Sequence, residues 1–144
     1  MRVVWQFDKD ERRMRAQHTC VIAPHTTTIT VQIASPSLNK FTYSHWRTQH
    51  AEKSGWHMLL ATITRNAPKA TGKRRLEIHR YGKRALDIDN LIGGAKCVIT
   101  DNLRQLQLLR DDSPDMVEFH AENHKLAKGE LPHTVIVLRD LETT

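Results

Sequence analysis

A long run of helical periodicity, from about Asn90 to Leu109, constrains the fold of this chain more than any other feature of the sequence. Its apolar residues recur at intervals of three and four positions, which is typical of a helix with one buried side. They are Leu91, Ala95, Val98, Ile99, Leu103 and Leu106. The segment from Tyr43 to Arg65 has similar spacing, although Gly55 lies in its middle. Each of these helices needs a partner surface on which to bury its apolar side.

Strand-like segments can supply that surface. The predicted strands are rich in β-branched and apolar residues and cover 26–34, 74–81, 115–123 and 133–141. Residues 35–40 form a predicted loop between the first strand and the first helix. The resulting order, β-α-β-α-β-β, indicates an α+β fold in which two main helices pack on a small mixed sheet. A chain of 144 residues can form this as one domain.

The N-terminal segment is predicted less regularly. RVVWQF (residues 2–7) is a strand fragment, and DKDERRMRAQ (residues 8–17) is a charged helical or irregular stretch. No run of 18 apolar residues is present, so no membrane span is expected. Cys20 and Cys97 lack metal-type spacing and are interpreted as reduced thiols in a cytoplasmic protein.

Charge is distributed unevenly along the chain. The formal net charge is +6, and residues 66–86 hold seven Lys or Arg residues and one Glu, whereas residues 87–122 hold three bases and eight acids. A basic surface attracts polyanions through counterion release, which makes nucleic acid the leading candidate partner. The alternative is a solvated basic face without any partner. No G-x-x-x-x-G-K-[ST] loop is present, so no nucleotide cofactor is expected.

The acidic segment begins with two aspartates in LDIDN. If this stretch is extended, Asp87 and Asp89 point to the same side and repel each other. Mg²⁺ would neutralise them, because it binds one or two protein carboxylates and keeps waters for a substrate phosphate. Helix capping is the alternative, and it accounts for one aspartate better than for the spaced pair.

A second acidic pair, Asp111 and Asp112, lies beyond the predicted helix, in RDDSPD. A turn is the simple interpretation of this segment. One of the pair could instead complete a three-carboxylate site with Asp87 and Asp89. That requires the chain to fold back, the helix to end early, or a second subunit to supply the residue, because a 20-residue helix is roughly 30 Å long.

Within the helix, Gly93 and Gly94 indicate that a phosphate backbone or another helix approaches closely. Simple tight packing is the alternative. Lys96 follows Asp89 by seven residues and so lies within about 20° of the same helix face. A cation there could hold the scissile phosphate, and a solvent-exposed lysine is the alternative.

Two other residue sets suggest chemistry less strongly. His120 and His124 stand four residues apart, but no Cys pair or third ligand stands at zinc spacing, so no metal centre is predicted there. Trp46 and Trp56 have helical spacing and are interpreted as core residues rather than as platforms for nucleic-acid bases.

In its ordered motifs, the sequence resembles the RusA family of Holliday-junction resolvases, most closely its phage-type members. The matching positions are Asp87, Asp89, Asn90, Lys96, Asp101, Leu103, Asp111 and Asp112, with Asn39, His45, Trp46 and Trp56 upstream. The likeness covers roughly residues 28–138. Residues 1–25 have no clear counterpart and are taken as a variable N-terminal extension.

The resemblance implies a Mg²⁺-dependent endonuclease, with Mn²⁺ as a substitute, that works as a homodimer on four-way junctions of branched DNA. Asp87, Asp89 and Asp112 would be the metal ligands, and Lys96 would join them as a catalytic residue. The expected DNA-binding residues are Lys69, Lys73, Arg74, Arg75, Arg80, Lys83 and Arg84. Two alternatives stay open: a non-catalytic DNA-binding accessory protein of the same fold, and a general nuclease for branched or flap DNA.

Overall fold

The computed structural model describes residues 5–9 and 13–141. The strands are β1 (Trp5–Asp8), β2 (Arg13–Ala16), β3 (Thr19–Ala23), β4 (Thr26–Val31), β5 (Arg74–Gly82), β6 (Val117–Lys125) and β7 (His133–Asp140). The helices are α1 (Leu38–Thr42), α2 (Trp46–Ile63), α3 (Ile88–Ala95) and α4 (Asp101–Gln105), with a π-helical turn (Lys96–Thr100) joining the last two.

Five strands form one mixed sheet in the order β3-β4-β7-β5-β6. In this order β3 and β6 are the edge strands. All neighbouring strands are antiparallel except β5 and β6, which run parallel. A separate two-stranded sheet pairs β1 with β2. The predicted α+β fold, with a mixed sheet and two main helical segments, is confirmed.

The N-terminal predictions are only partly met. The strand fragment at residues 2–7 overlaps β1, although residues 2–4 lie outside the described residues. The stretch 8–17, predicted to be helical or irregular, contains β2 instead, with residues 10–12 outside the described part. The strand β3 was not predicted at all. Its residues pair with the β-branched run of β4, so this strand depends on a partner that follows it in the chain.

The second main helix differs from its prediction in two ways. It is interrupted by the π-helical turn, and it ends at Gln105 rather than near Leu109. The chain reverses just beyond this end, where Gln107 has a positive φ of 63° and the Leu108 amide donates to the Leu103 carbonyl. Helical periodicity continues past the end because Leu108 and Leu109 are still buried, in a turn rather than in a helix.

The two faces of the sheet carry different residues. One side, here called the helix face, carries Leu76, Ile78, Phe119, Ile136 and Leu138 and packs against the helices in a single core. The other side is called the histidine face. Because side chains alternate along a strand, it receives Glu77, His79 and Tyr81 from β5 and His120, Glu122 and His124 from β6.

Close packing accounts for both glycines of α3. A Cβ on Gly94 would lie 1.9 Å from the Pro36 carbonyl oxygen, and a Cβ on Gly93 would lie 2.5 Å from a methyl of Leu38. The segment before and within α1 therefore rests directly on α3. This contact agrees with the predicted close approach of another helix and with tight packing, and it fixes α1 beside the aspartates.

Among the described residues, the structure has no helix that is both long enough and apolar enough to cross a membrane.

Candidate functional site

Asp87 has extended backbone angles and is the N-cap of α3, which begins at Ile88, so Asp89 already lies in the helix and the fully extended alternative for LDIDN does not hold. The Oδ1 of Asp87 accepts a 2.9 Å hydrogen bond from the Asn90 amide, and its Oδ2 accepts a 2.7 Å bond from the Asn90 side chain. These bonds hold the pKa of the Asp87 carboxyl below its usual value, which keeps it ionised. Capping is thus the correct interpretation for Asp87, and the same bonds fix the direction of its carboxylate.

Asn90 also ties this helix start to α1. Its side-chain oxygen accepts a 2.9 Å hydrogen bond from the backbone amide of Asn39. One amide side chain therefore orients Asp87 on one side and anchors the α1 segment on the other. Both Asn39 and Asn90 belong to the motif positions of the sequence, and the structure brings them into contact.

Asp89 lies in the first turn of the same helix and is exposed, as is Asp87. A pair of exposed carboxylates at one helix start fits Mg²⁺, which takes one or two protein carboxylates and completes its shell with water and phosphate oxygens. The dipole of the helix adds a favourable field for both negative charges.

Lys96 and Asp112 line one cavity of about 330 Å³, together with Thr100, Pro114, Val117 and Phe119. The Lys96 ammonium lies 5.1 Å from the centre of the Phe119 ring, a cation–π contact that directs it over β6. In the neighbouring turn, the Asp111 carboxylate accepts a 2.8 Å bond from the amide of Asp112. Asp111 is thus committed to its own turn, and Asp112 faces the cavity.

Among the described residues, the carboxylates of Asp87, Asp89 and Asp112 do not form a group whose oxygen atoms all lie within 4.8 Å of one another. Asp112 lies near Val117, at the start of β6, whereas the Leu86 backbone exchanges hydrogen bonds with the Asn123 side chain near the end of that strand. Six strand residues separate those two positions by about 20 Å. The early helix end places Asp112 in the same cavity as Lys96. That Asp112 joins Asp87 and Asp89 at one metal ion, from this chain or from a second subunit, stays a prediction.

Strand alternation divides the expected DNA-binding residues. Arg74 and Arg80 point to the helix face, where backbone carbonyls occupy them. Arg74 is only 3% exposed, and it donates to Asp140 at 2.7 Å and to the Leu108 carbonyl at 2.9 Å. Arg80 donates to the carbonyl oxygens of Ser35 and Arg84. The expectation that Arg74 contacts DNA is therefore corrected, because its guanidinium is buried and held by Asp140 and by backbone carbonyl oxygens.

The remaining bases differ in how free they are. Arg75 points to the histidine face and forms ion pairs with Glu118 and Glu77. Lys69 donates to the Leu106 carbonyl at 2.8 Å, and Lys73 is half-buried. Lys83 and Arg84 are exposed in the loop that leads directly to Asp87. This loop is therefore the part of the basic segment that is both accessible and adjacent to the aspartates.

The start of α2 carries an aromatic surface that contradicts one expectation. Trp56 is buried as predicted, but Trp46 is 65% exposed and Tyr43 is 86% exposed. The Arg47 guanidinium lies 5.3 Å from the centre of the Trp46 indole, and the His45 ring lies 5.6 Å away. Helical spacing alone missed this, because Trp46 is the first residue of α2 and lies beyond the buried part of the helix.

The histidine face holds a polar cluster that was not expected. The cluster consists of His79, Glu122 and His124. Among the described residues, it is the one group of three His, Cys, Asp or Glu side chains whose ligand atoms all lie within 4.8 Å of one another. Burial, together with the nearby His124, lowers the pKa of His79 below its usual value and favours its neutral ring. Sequence spacing showed only His120 and His124, because His79 reaches the cluster from a different strand.

No protein-family model matches the chain, and no curated protein matches it either. Among solved structures, one that matches is described as a "putative translation initiation inhibitor" from Salmonella typhimurium. It is 11% identical, with a TM-score of 0.35, and the alignment covers 96% of this chain and 97% of that one. A likeness at this level carries no argument about the fold or the function of the chain.

Proposed function

We propose that the protein is a Mg²⁺-dependent, structure-specific endodeoxyribonuclease that acts as a homodimer on four-way DNA junctions and nicks two strands symmetrically. The observation that carries the proposal is the exposed pair Asp87 and Asp89 at one helix start, with Asp87 oriented by Asn90. Structural capping needs only one of these carboxylates. Asp89 is left exposed in a position where it adds negative charge next to a basic loop.

The surface around the aspartates suits a nucleic-acid backbone. Lys83 and Arg84 precede the helix start, and the exposed Tyr43 and Trp46 follow α1, which packs on the same helix. Bases hold phosphates without reading sequence, and exposed aromatic rings stack on unpaired bases, which are available where a duplex branches. This combination favours branched DNA over linear duplex as the substrate.

Asp87 and Asp89 would hold the metal ion, whose chemistry is to activate a water molecule and to stabilise charge on the attacked phosphate. Lys96 is exposed on the same helical segment and is available to a phosphate oxygen. Asn90 keeps the Asp87 carboxylate ionised and pointed outward, and the packing of α1 on α3 keeps this arrangement rigid.

The test is cleavage of a labelled mobile four-way junction beside linear duplex and flap controls, with Mg²⁺ and with a chelator. We expect paired symmetric nicks that need Mg²⁺ and that disappear in Asp89→Asn, while junction binding stays as tight or becomes tighter. Tight, salt-sensitive binding without any cut in Mg²⁺ or Mn²⁺ would assign the protein to a non-catalytic DNA-binding role. Equal cutting of flaps would assign it to the general branched-DNA nucleases.

A mixed dimer tests whether Asp112 completes the site from the partner subunit. One protomer carries Asp89→Asn and the other carries Asp112→Asn, each of which is expected to be inactive as a homodimer. If Asp112 acts across the dimer, one of the two sites in the mixed dimer keeps both native residues, and nicking of one strand returns. If all ligands come from one chain, both sites stay damaged and no cleavage returns.

A further inference from the structure

We propose that the histidine face binds one Zn²⁺ per chain through His79, Glu122 and His124, with a water molecule in the fourth position. This site is independent of the proposed nuclease function, because its residues lie on the opposite face of the sheet from the helix that carries the aspartates. It clamps the edge strand β6 to its parallel neighbour β5.

The ligand atoms already converge on one point. His79 Nδ1 lies 2.8 Å from His124 Nε2, and Glu122 Oε2 lies 3.6 Å and 3.8 Å from these two nitrogens. The Nε2 of His120 is 3.6 Å from the same carboxylate oxygen, but His120 is not among the side chains whose ligand atoms all lie within 4.8 Å of one another, so it borders the site. Tetrahedral zinc, with ligands at about 2.0–2.1 Å, places its ligand atoms about 3.3 Å from one another. The observed separations lie on both sides of that value, so small rotations of side chains would seat the ion.

A carboxylate behind His79 provides the second, separate observation. The other ring nitrogen of His79, Nε2, lies 3.5 Å from Glu77 Oε1, on the side away from the cluster. Histidines that bind zinc almost always donate their second N–H to such a carboxylate, which fixes the ring and makes it a better ligand. The other oxygen of Glu77, Oε2, lies 3.6 Å from Arg75 Nε and 3.5 Å from Arg139 Nε, so two ion pairs favour the ionised carboxylate.

The chemistry of the ligands distinguishes this ion from Mg²⁺. Imidazole nitrogens combined with one carboxylate suit zinc and other late first-row metals, whereas Mg²⁺ prefers a shell made of oxygen atoms only. Glu122 is exposed and His79 is buried, so the ion would have an entry path on one side and a rigid ligand on the other.

Seating the ion has a consequence for the opposite face. Phe119 and Asn123 of β6 project from the other side of the strand, where they contact Lys96 and Leu86. An ion that fixes β6 to β5 therefore also steadies the strand on which the candidate nuclease site rests. Stabilisation by zinc is expected to be structural, without any role in phosphate chemistry.

The experiment uses the full chain without a histidine tag, titrated with Co²⁺ and then competed with Zn²⁺. We expect one Co²⁺ per chain with the intense visible absorption of tetrahedral cobalt, displaced by Zn²⁺ and unaffected by millimolar Mg²⁺. Glu122→Gln and His124→Gln should each weaken binding at least tenfold. Zinc should also raise the melting temperature of the native chain and not that of these variants.

His25→Asn is the matched control, since it removes an exposed imidazole far from the cluster at a position with positive φ, which asparagine tolerates. It should leave Co²⁺ binding unchanged. Glu122 is exposed, so its replacement leaves the metal-free fold intact, which circular dichroism checks. Unchanged affinity in both cluster variants, an octahedral spectrum, or no binding at micromolar metal would overturn the proposal.

Discussion

The two faces of the β5–β6 pair teach how one pair of strands can serve two different roles. On the helix face, Phe119 and Asn123 hold the helical segment that carries the aspartates and Lys96. On the histidine face, Glu122 and His124, which flank Asn123 in the sequence, gather around His79. Alternation along the strand separates these roles, although the residues are adjacent in sequence.

The basic segment shows the same separation. Arg74 and Arg75 are neighbours, yet the first is buried among carbonyl oxygens and the second pairs with glutamates on the other face. A count of charges treats them as equal. The buried Arg74 is expected to matter for stability and the exposed Lys83 and Arg84 for DNA binding. The predictions below test this contrast and the contrast between the two faces of the sheet.

Replacing Arg74 should have the largest effect on stability. Arg74→Ala leaves the Leu108 and Pro68 carbonyl oxygens without their donor and removes the ion pair to Asp140, so we expect a loss of about 2–4 kcal/mol in the free energy of unfolding. Urea denaturation measures it. Lys83→Ala is the control and should change stability by less than about 0.5 kcal/mol. Equal effects of the two changes would contradict the division of the basic segment.

Gly94→Ala should have the second-largest effect on stability, because it disturbs the packing of α1 on α3. The new Cβ would meet the Pro36 carbonyl, which is backbone and unable to yield, so we expect a loss of about 1–3 kcal/mol. Gly55→Ala in α2 is the matched change, because nothing lies within 4 Å of its Cβ, and it should gain up to about 1 kcal/mol. Thermal melts of the two variants shifting in the same direction would contradict the packing of α1 on α3.

Trp46→Ala should weaken junction binding without affecting stability. Stacking of one unpaired base on an aromatic ring is worth about 1–3 kcal/mol, so the dissociation constant should rise roughly tenfold. Fluorescence anisotropy with a labelled junction measures it. Met58→Ala removes another exposed apolar side chain of α2 and serves as the control. A similar loss in both variants would indicate that the aromatic surface does not bind bases.

The smallest expected effect is a pH dependence that belongs to the histidine face. Burial lowers the pKa values of His79 and His133 in the folded chain. As pH falls, these two histidines therefore bind protons at a higher pH in the unfolded chain than in the folded one. The free energy of unfolding should therefore be constant above about pH 7.5 and decline through the unfolded histidine pKa of about 6.5. The lowered pKa of Asp87 acts only in the acid range below this window.

Urea titrations at several pH values, with a chelator present, measure this slope. His133→Gln should flatten it, because it removes one buried imidazole whose neighbours include Tyr81, His124 and Glu130. A native chain that becomes more stable on acidification would contradict burial of neutral rings on this face.

The sequence predicted some elements well because their signals are local. The alternation of β5, the apolar spacing of α2 and the capping role open to Asp87 each depend on residues within a few positions of one another. Trp46 and β3 were missed for the opposite reason. The first lies at a helix end beyond the buried stripe, and the second takes its pairing from the strand that follows it.

The sequence by itself determined the α+β class, the apolar sides of the two main helices and the acidic helix start that follows a basic segment. Tertiary structure alone decided which of those bases are free, where Asp112 lies, and which histidines meet. The physical reason is the distance along the sequence between the residues that interact. Periodicity and capping are set by neighbours along the chain, whereas a buried arginine or a cluster of ligands is set by strands and turns that come together from distant positions.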